Sequence, residues 1–247
     1  MKRLVIAMGI LLLNVSVFSQ DSLKNVLWTM RIHVKLDKRP EFEKKLPVFL
    51  QTHYPSLSFR VYETITGPRT GSYVVISGPF AFKEFDLPMT SPKGEAAMKA
   101  DDLALKMLFE SYEVQHARIV TSASIPNPTR EIKYIQVSER EIEGGTWSDY
   151  LDILKKLRVA REKGGSKMDV SFFRPVAGGN INTLVSSRFI SKWEDLDMSE
   201  NLAEQYDNAH GRAAWSKDVE KLNQWTKSLK QEMRVLRKDL STTAAAK

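Results

Sequence analysis

The chain carries one fold pattern twice. Residues 58–87 lie on residues 169–198 at a constant offset of 111 without a gap. Phe59 falls on Val170, Val61 on Phe172, Tyr62 on Phe173, Gly67 on Gly178 and Val74 on Val185. Phe82, Glu84, Phe85 and Asp86 then fall on Trp193, Asp195, Leu196 and Asp197. After six residues of added spacing, Gly94–Met98 (GEAAM) falls on Gly211–Trp215 (GRAAW), and Asp101 on Asp218. Identity is low. The match lies in apolar class, turn glycines and order. A repeat of this length is a small domain, not a solenoid unit.

Periodicity assigns elements within each half. Residues 26–34 alternate, with Trp28, Met30, Ile32 and Val34 on one side and Leu27, Thr29, Arg31 and His33 on the other, a strand pattern. Residues 41–52 space Phe42, Leu46, Phe49 and Leu50 as a helix, against which Pro47 stands as an objection. Strands 58–65 and 72–77 flank the turn TGPRTG. A short helix near Phe82–Leu87, a longer one from Lys93 to Tyr112 and a strand over 114–122 complete the half.

The second half reads likewise. Strand 132–139 precedes a helix over 146–163 capped by Thr146, and strands 168–174 and 182–189 follow. Helices are expected at 191–197 and 200–228, and by analogy with the first half a strand over 233–239, whose charges suit a helical continuation equally well. Each half is thus β-α-β-β-α-β, a four-stranded antiparallel sheet with helices on one face, in the class α+β. The bare face of each sheet needs a cover, which the other repeat can supply. The divisions are a leader at 1–19, a first ferredoxin-like repeat at 25–124, a second at 131–240 and a frayed tail at 241–247.

The leader reads as a secretory signal peptide. Lys2 and Arg3 precede an apolar run from Leu4 to Val17, and Ser19 stands before the expected cut at Gln20. The run is shorter than the ~20 residues that span a bilayer, which favours cleavage over an anchor. The expected location is periplasmic or extracellular, with no membrane span left after cleavage. Cys is absent, so there are no disulfides and no lipid-modified N-terminus. The formal charge of +7 falls to +5 without Lys2 and Arg3 and is spread among 30 acidic residues. This is a solvated surface, not a nucleic-acid stripe.

The duplicated pattern, the F/W-[KE]-[ED]-[FL]-D element (Phe82–Asp86, Trp193–Asp197) and the G-x-A-A-[MW] helix start resemble the dimeric α+β barrel superfamily. Its members include antibiotic-biosynthesis-monooxygenase-like, NIPSNAP-like and chlorite-dismutase-like proteins. The resemblance implies that the two repeats pair as an intramolecular barrel, as a monomer or a homodimer. In chlorite-dismutase-like proteins a helical His of the second repeat binds haem. The resemblance therefore makes His210 a candidate ligand. Apart from that, no cofactor is expected.

Motifs exclude more than they assign. The four histidines lack metal-ligand spacing, and no HExxH, P-loop, dinucleotide or G-x-S-x-G motif is present. Strand parity supplies the candidate ligand site. If Met30, Ile32, Ile135 and Val137 face the helices, then Arg31, His33, Tyr134 and Gln136 face the space between the sheets, with Tyr62 and Arg60 nearby. Such a face suits a small anionic molecule, or else forms a polar network that fixes the sheets in register. Aromatic residues such as Trp28, Phe49, Phe85 and Trp193 are expected to fill cores, and the charged stretch 227–239 to be solvated or to protect an edge strand. The function classes left open are ligand or partner binding, cofactor-independent oxygenase or isomerase chemistry, and haem binding.

Overall fold

Eight antiparallel strands close edge to edge in the order β1-β3-β2-β8-β5-β7-β6-β4 and back to β1. The computed structural model describes residues 24–86, 95–126, 131–197 and 200–244. The leader, Lys93, Gly94 and Pro128 lie outside them. The first repeat comprises β1 (Val26–Val34), α1 (Arg39–His53), β2 (Phe59–Thr66), β3 (Tyr73–Phe80), α2 (Glu95–Lys106) and β4 (Phe109–Ile119). The second comprises β5 (Tyr134–Ile142), α3 (Trp147–Lys163), β6 (Asp169–Ala177), β7 (Thr183–Ile190), α4 (Leu202–His210), α5 (Ala214–Trp225) and β8 (Thr226–Leu236). Read from edge to edge, the sheets run β4-β1-β3-β2 and β8-β5-β7-β6, which is one order used twice.

Two seams join the repeats. At one, β2 pairs with β8, with Tyr62 opposite Leu236 and Glu63 opposite Val235. At the other, β4 pairs with β6, with Arg118 opposite Arg174. Equivalent glycines sit beside both seams. Gly67 (φ +94) and Gly178 (φ +76) are left-handed, and a Cβ on either would stand 2.4 Å from Gln231 O or 2.1 Å from Val114 O. Val114 and Gln231 are themselves related by the 117-residue offset that carries Gly94 onto Gly211. The repeat thus places a glycine where the other half's backbone leaves no room for a side chain.

Several boundaries differ from the sequence reading. Alpha1 runs through Pro47 unbroken, its apolar stripe of Phe42, Leu46 and Leu50 packed on the sheet. Beta4 and β8 begin earlier than expected, because Phe109 is buried below α1 and Thr226 caps the end of α5 by donating to Leu222 O. The helix expected at 200–228 is two helices, broken at Gly211 (φ +104) and Ala213 (φ 60). Thr146 precedes α3, yet its hydroxyl donates to Glu143 O and caps nothing. Beta8 is no edge strand, since it pairs on both sides. The first residues of the expected frayed tail are docked. Thr242 bridges Phe59, and Ser241 Oγ accepts from Val61 N, so the start of β2 holds them.

Apolar packing forms three clusters. One lies between α1 and the first sheet, a second between α3, α4 and the second sheet, and a third inside the barrel around Tyr62, Ile135 and Val137. Among the described residues no helix is long and apolar enough to cross a membrane.

Left-handed strain and backbone overlap together make either seam glycine worth about 2–4 kcal/mol against Ala. Gly67→Ala and Gly178→Ala should each destabilise by that amount in urea unfolding. Gly144→Ala, with nothing within 4 Å of its would-be Cβ, should change little.

Candidate functional site

Inside the barrel the strand faces carry charge at one end and apolar side chains at the other. Arg31, 9% exposed, donates from Nη1 to Glu232 Oε1 at 3.2 Å and from Nη2 to Glu139 Oε1 at 3.3 Å. Arg69 reaches the same carboxylates, with Nε 3.0 Å from Glu232 Oε2 and Nη2 2.6 Å from Glu139 Oε1. Arg234 Nε donates to Glu232 Oε1 at 2.7 Å. Burial alone would raise the pKa of Glu232. The charges of Arg234, Arg31 and Arg69 outweigh burial and hold it at about 2. Burial first, then the charge of Arg234, pulls Arg31 below its ordinary value. A cavity of about 250 Å³ adjoins this network.

The five residues expected to meet between the sheets do not gather. Arg31 lines the cavity. Tyr62 lies inside the barrel but packs into its apolar end with Ile135 and Val137. His33 shares Arg31's face of β1, opposite Ser111, and does not line the cavity. Tyr134 and Gln136 occupy the outer face of β5. The Tyr134 ring stands 5.0 Å from Trp193. The parity argument failed on β5 because it assumed that apolar residues face helices. Ile135 and Val137 instead fill the barrel interior. Glu139, Glu232, Arg69 and Arg234 went unrecognised. The alternation of Glu232, Met233 and Arg234 was the available signal, set aside as edge protection.

A second cavity, about 340 Å³, lies on the outer face of the first sheet beneath α1 and α2. Beta1 contributes Trp28 and Met30, β2 Phe59, and β4 Tyr112, Val114 and His116. Phe49 of α1, then Tyr54, Phe85 and the Asp102–Lys106 pair of α2, close it. The aromatics meet edge to face: Trp28 and Phe59 at 6.2 Å, Tyr54 and Phe59 at 5.8 Å, Phe85 and His116 at 4.8 Å. Rigid rings braced this way do not collapse into the space they border. Lys106 Nζ lies 2.7 Å from Asp102 Oδ2 and 5.4 Å from the Tyr112 ring, and the Asp102 hydrogen bond raises its pKa. The expectation that such aromatics fill cores holds for Trp28 and Phe49, which pack against the first repeat's core with Phe59, and the same rings also border this cavity.

The equivalent layer of the second repeat holds an aromatic cluster of its own. Tyr206, fully buried, Leu202, Trp215, Leu222 and Trp225 lie against the sheet there. Tyr206 donates to Asp218 Oδ2 at 2.7 Å, and burial first, then that bond, raises its pKa. His210 ends α4 instead of beginning a helix. Its Nε2 lies 2.9 Å from Lys156 O, its ring 4.7 Å from Tyr206, and it lines neither cavity. With Nε2 against the Lys156 carbonyl, His210 would have to give up that contact to reach a haem iron. Among the described residues no cluster of three His, Asp or Glu could hold a metal.

No family model matches the chain, and no curated protein matches it. Solved structures do. A candidate monooxygenase from Lactobacillus acidophilus NCFM is 12% identical with a TM-score of 0.53, over 90% of this chain and 98% of that one. An anthrone oxidase-like protein is 11% identical with a TM-score of 0.56, over 90% and 94%. Chlorite dismutase from Candidatus Nitrospira defluvii, in complex with cyanide, is 6% identical with a TM-score of 0.52, over 87% and 92%. The chain therefore has the dimeric α+β barrel fold, with both halves of the barrel in one polypeptide.

The pH dependence of stability reports on the barrel network. Glu232 has a folded pKa of about 2 against an ordinary 4.5. Its stabilisation, about 3 kcal/mol, is complete above pH 4.5 and is lost as pH falls toward 2. Glu232→Gln should be several kcal/mol less stable than the parent at neutral pH, with the gap closing by about pH 2. A constant gap across that range would show that Glu232 is not held ionised by the arginines.

Proposed function

We propose that the protein is exported and binds a small, mainly apolar, aromatic-type molecule in the helix–sheet cavity of the first repeat. The observation that carries this reading is the asymmetry of the repeats. One helix–sheet layer holds an aromatic-walled cavity with a few polar heads, while in its counterpart the fully buried Tyr206, with Trp215, lies against the sheet. The barrel interior is the weaker candidate, because Glu139 and Glu232 already occupy its arginines. An anion entering there would have to displace a carboxylate.

A second reading is cofactor-independent oxygenase chemistry at the same cavity. His116, its ring braced by Phe85, is the imidazole on the wall and could accept a proton from a phenolic ligand. The structural likeness to a candidate monooxygenase and an anthrone oxidase-like protein favours this chemistry over other enzymatic ones. Export rests on the N-terminal pattern alone. N-terminal sequencing of native protein should begin near Gln20, and an intact Met1 on membrane-bound protein would overturn it.

Anthrone serves as the probe. Saturable quenching of tryptophan fluorescence is expected for the parent protein. Val114→Trp, which fills the cavity from β4, should weaken binding at least about tenfold, the loss expected when burial worth ~1.4 kcal/mol is denied. Unchanged binding in that variant would overturn the site. His116→Ala should keep binding and abolish oxygen uptake with anthrone if the second reading holds. Uptake that persists would refute it.

A further inference from the structure

The two seams have the same backbone and opposite electrostatics. At the β2–β8 seam Glu63 stands opposite Val235. Arg39 binds its carboxylate, Arg237 Nη1 lies 2.9 Å from Glu63 Oε2, and the same nitrogen lies 2.8 Å from Glu43 Oε1. Every charge there has a counter-charge. The 111-residue offset puts Arg174 in the place of Glu63, and at the β4–β6 seam Arg118 stands directly opposite it. Among the described residues neither arginine has a carboxylate within ion-pair distance. Like charges directly opposite across a strand pair repel, so this arrangement is unfavourable as it stands.

Both guanidinium groups are nonetheless held in position. Arg174 lies 4.1 Å from the Trp147 ring centroid and donates from Nε to Ile181 O at 3.0 Å, which leaves its two Nη nitrogens for another partner. Arg118 lies 5.3 Å from the Phe82 ring centroid. Burial first, then the charge of Arg118, lowers the pKa of Arg174. The pair lines a cleft of about 490 Å³ with Trp147, Leu151 and Ile181 on its apolar side. Ile181 is 55% exposed, an apolar surface left uncovered beside two unneutralised cations.

We infer that the β4–β6 seam binds an amphipathic carboxylate, its head on the forks of Arg118 and Arg174 and its chain along Trp147, Leu151 and Ile181. The anion supplies the counter-charge that Glu63 provides from within the protein at the other seam. Paired guanidinium forks match the two oxygens of a carboxylate, and the apolar wall selects a molecule with a hydrocarbon body over a bare ion. This site shares no lining residue with the first repeat's cavity and stands independently of the function proposed for it.

Calorimetry of the full mature chain with decanoate and decanamide tests the inference. Decanoate should bind at a ratio of one to one, and decanamide at least about tenfold more weakly, as expected for loss of a charge-assisted contact. Arg118→Gln and Arg174→Gln should each lose at least about tenfold in decanoate affinity. Val114→Trp, which blocks the other cavity, should retain it. Because Arg118 is exposed, Arg118→Gln should melt no lower than the parent without ligand. Equal affinity for decanoate and decanamide would overturn the inference, as would binding unaffected by either arginine substitution. So would loss of decanoate binding in Val114→Trp, which would move the ligand to the first repeat, or a lowered melting temperature in Arg118→Gln, which would make the arginine pair stabilising.

Discussion

Close backbone approach at the two seams is the constraint on which the molecule depends. Each four-stranded sheet has one face covered by its own helices and two exposed edges. Closing edge on edge removes all four edges and buries both inner faces at once. That closure brings strands from distant parts of the chain together beside Gly67 and Gly178, where Gln231 O and Val114 O occupy the room a Cβ would need. The glycines are related by the 111-residue offset and their neighbours by the 117-residue offset that follows the added spacing, so the duplication of the sequence is also the duplication of its closure.

Once the barrel is closed, its interior and its two helix layers are free to differ. The interior is stiffened by three arginines and two glutamates paired around Glu232, with one positive charge in excess. Buried networks of this kind specify register more than they add stability. The second helix layer holds Tyr206 and its neighbours, clasped through Asp218. The first is left with a cavity braced by edge-to-face aromatics.

The fold was legible because it is written in features of long range and low ambiguity. Period-two alternation in 26–34, turn glycines at a fixed offset and the repeated Phe82–Asp86 element needed no tertiary knowledge. Helix ends were less legible. The GRAAW match marks the start of α5 but carries no sign that α4 ends just before it, since the left-handed turn falls partly on Ala213, a residue that ordinarily favours a helix. The interior face was legible on β1 and at Tyr62 of β2. On β1 the helix side is the apolar one, and Arg31 fell inside the barrel as parity required. On β5 both faces are buried, so alternation between Ile135 and Tyr134 could not say which side was which. The helix–sheet cavity left no mark in the sequence, since an aromatic that walls a cavity and one that fills a core share the same spacing.

The central claim is that the helix–sheet layer of the first repeat keeps an apolar space where Tyr206 and its neighbours lie in the second. Xenon enters dry apolar cavities and leaves packed cores alone. A crystal of the protein pressurised with xenon should show the gas among Trp28, Phe49, Phe59 and Phe85 and none around Tyr206 and Trp215. Xenon absent from the first repeat, or present in equal measure in the second, would contradict the account.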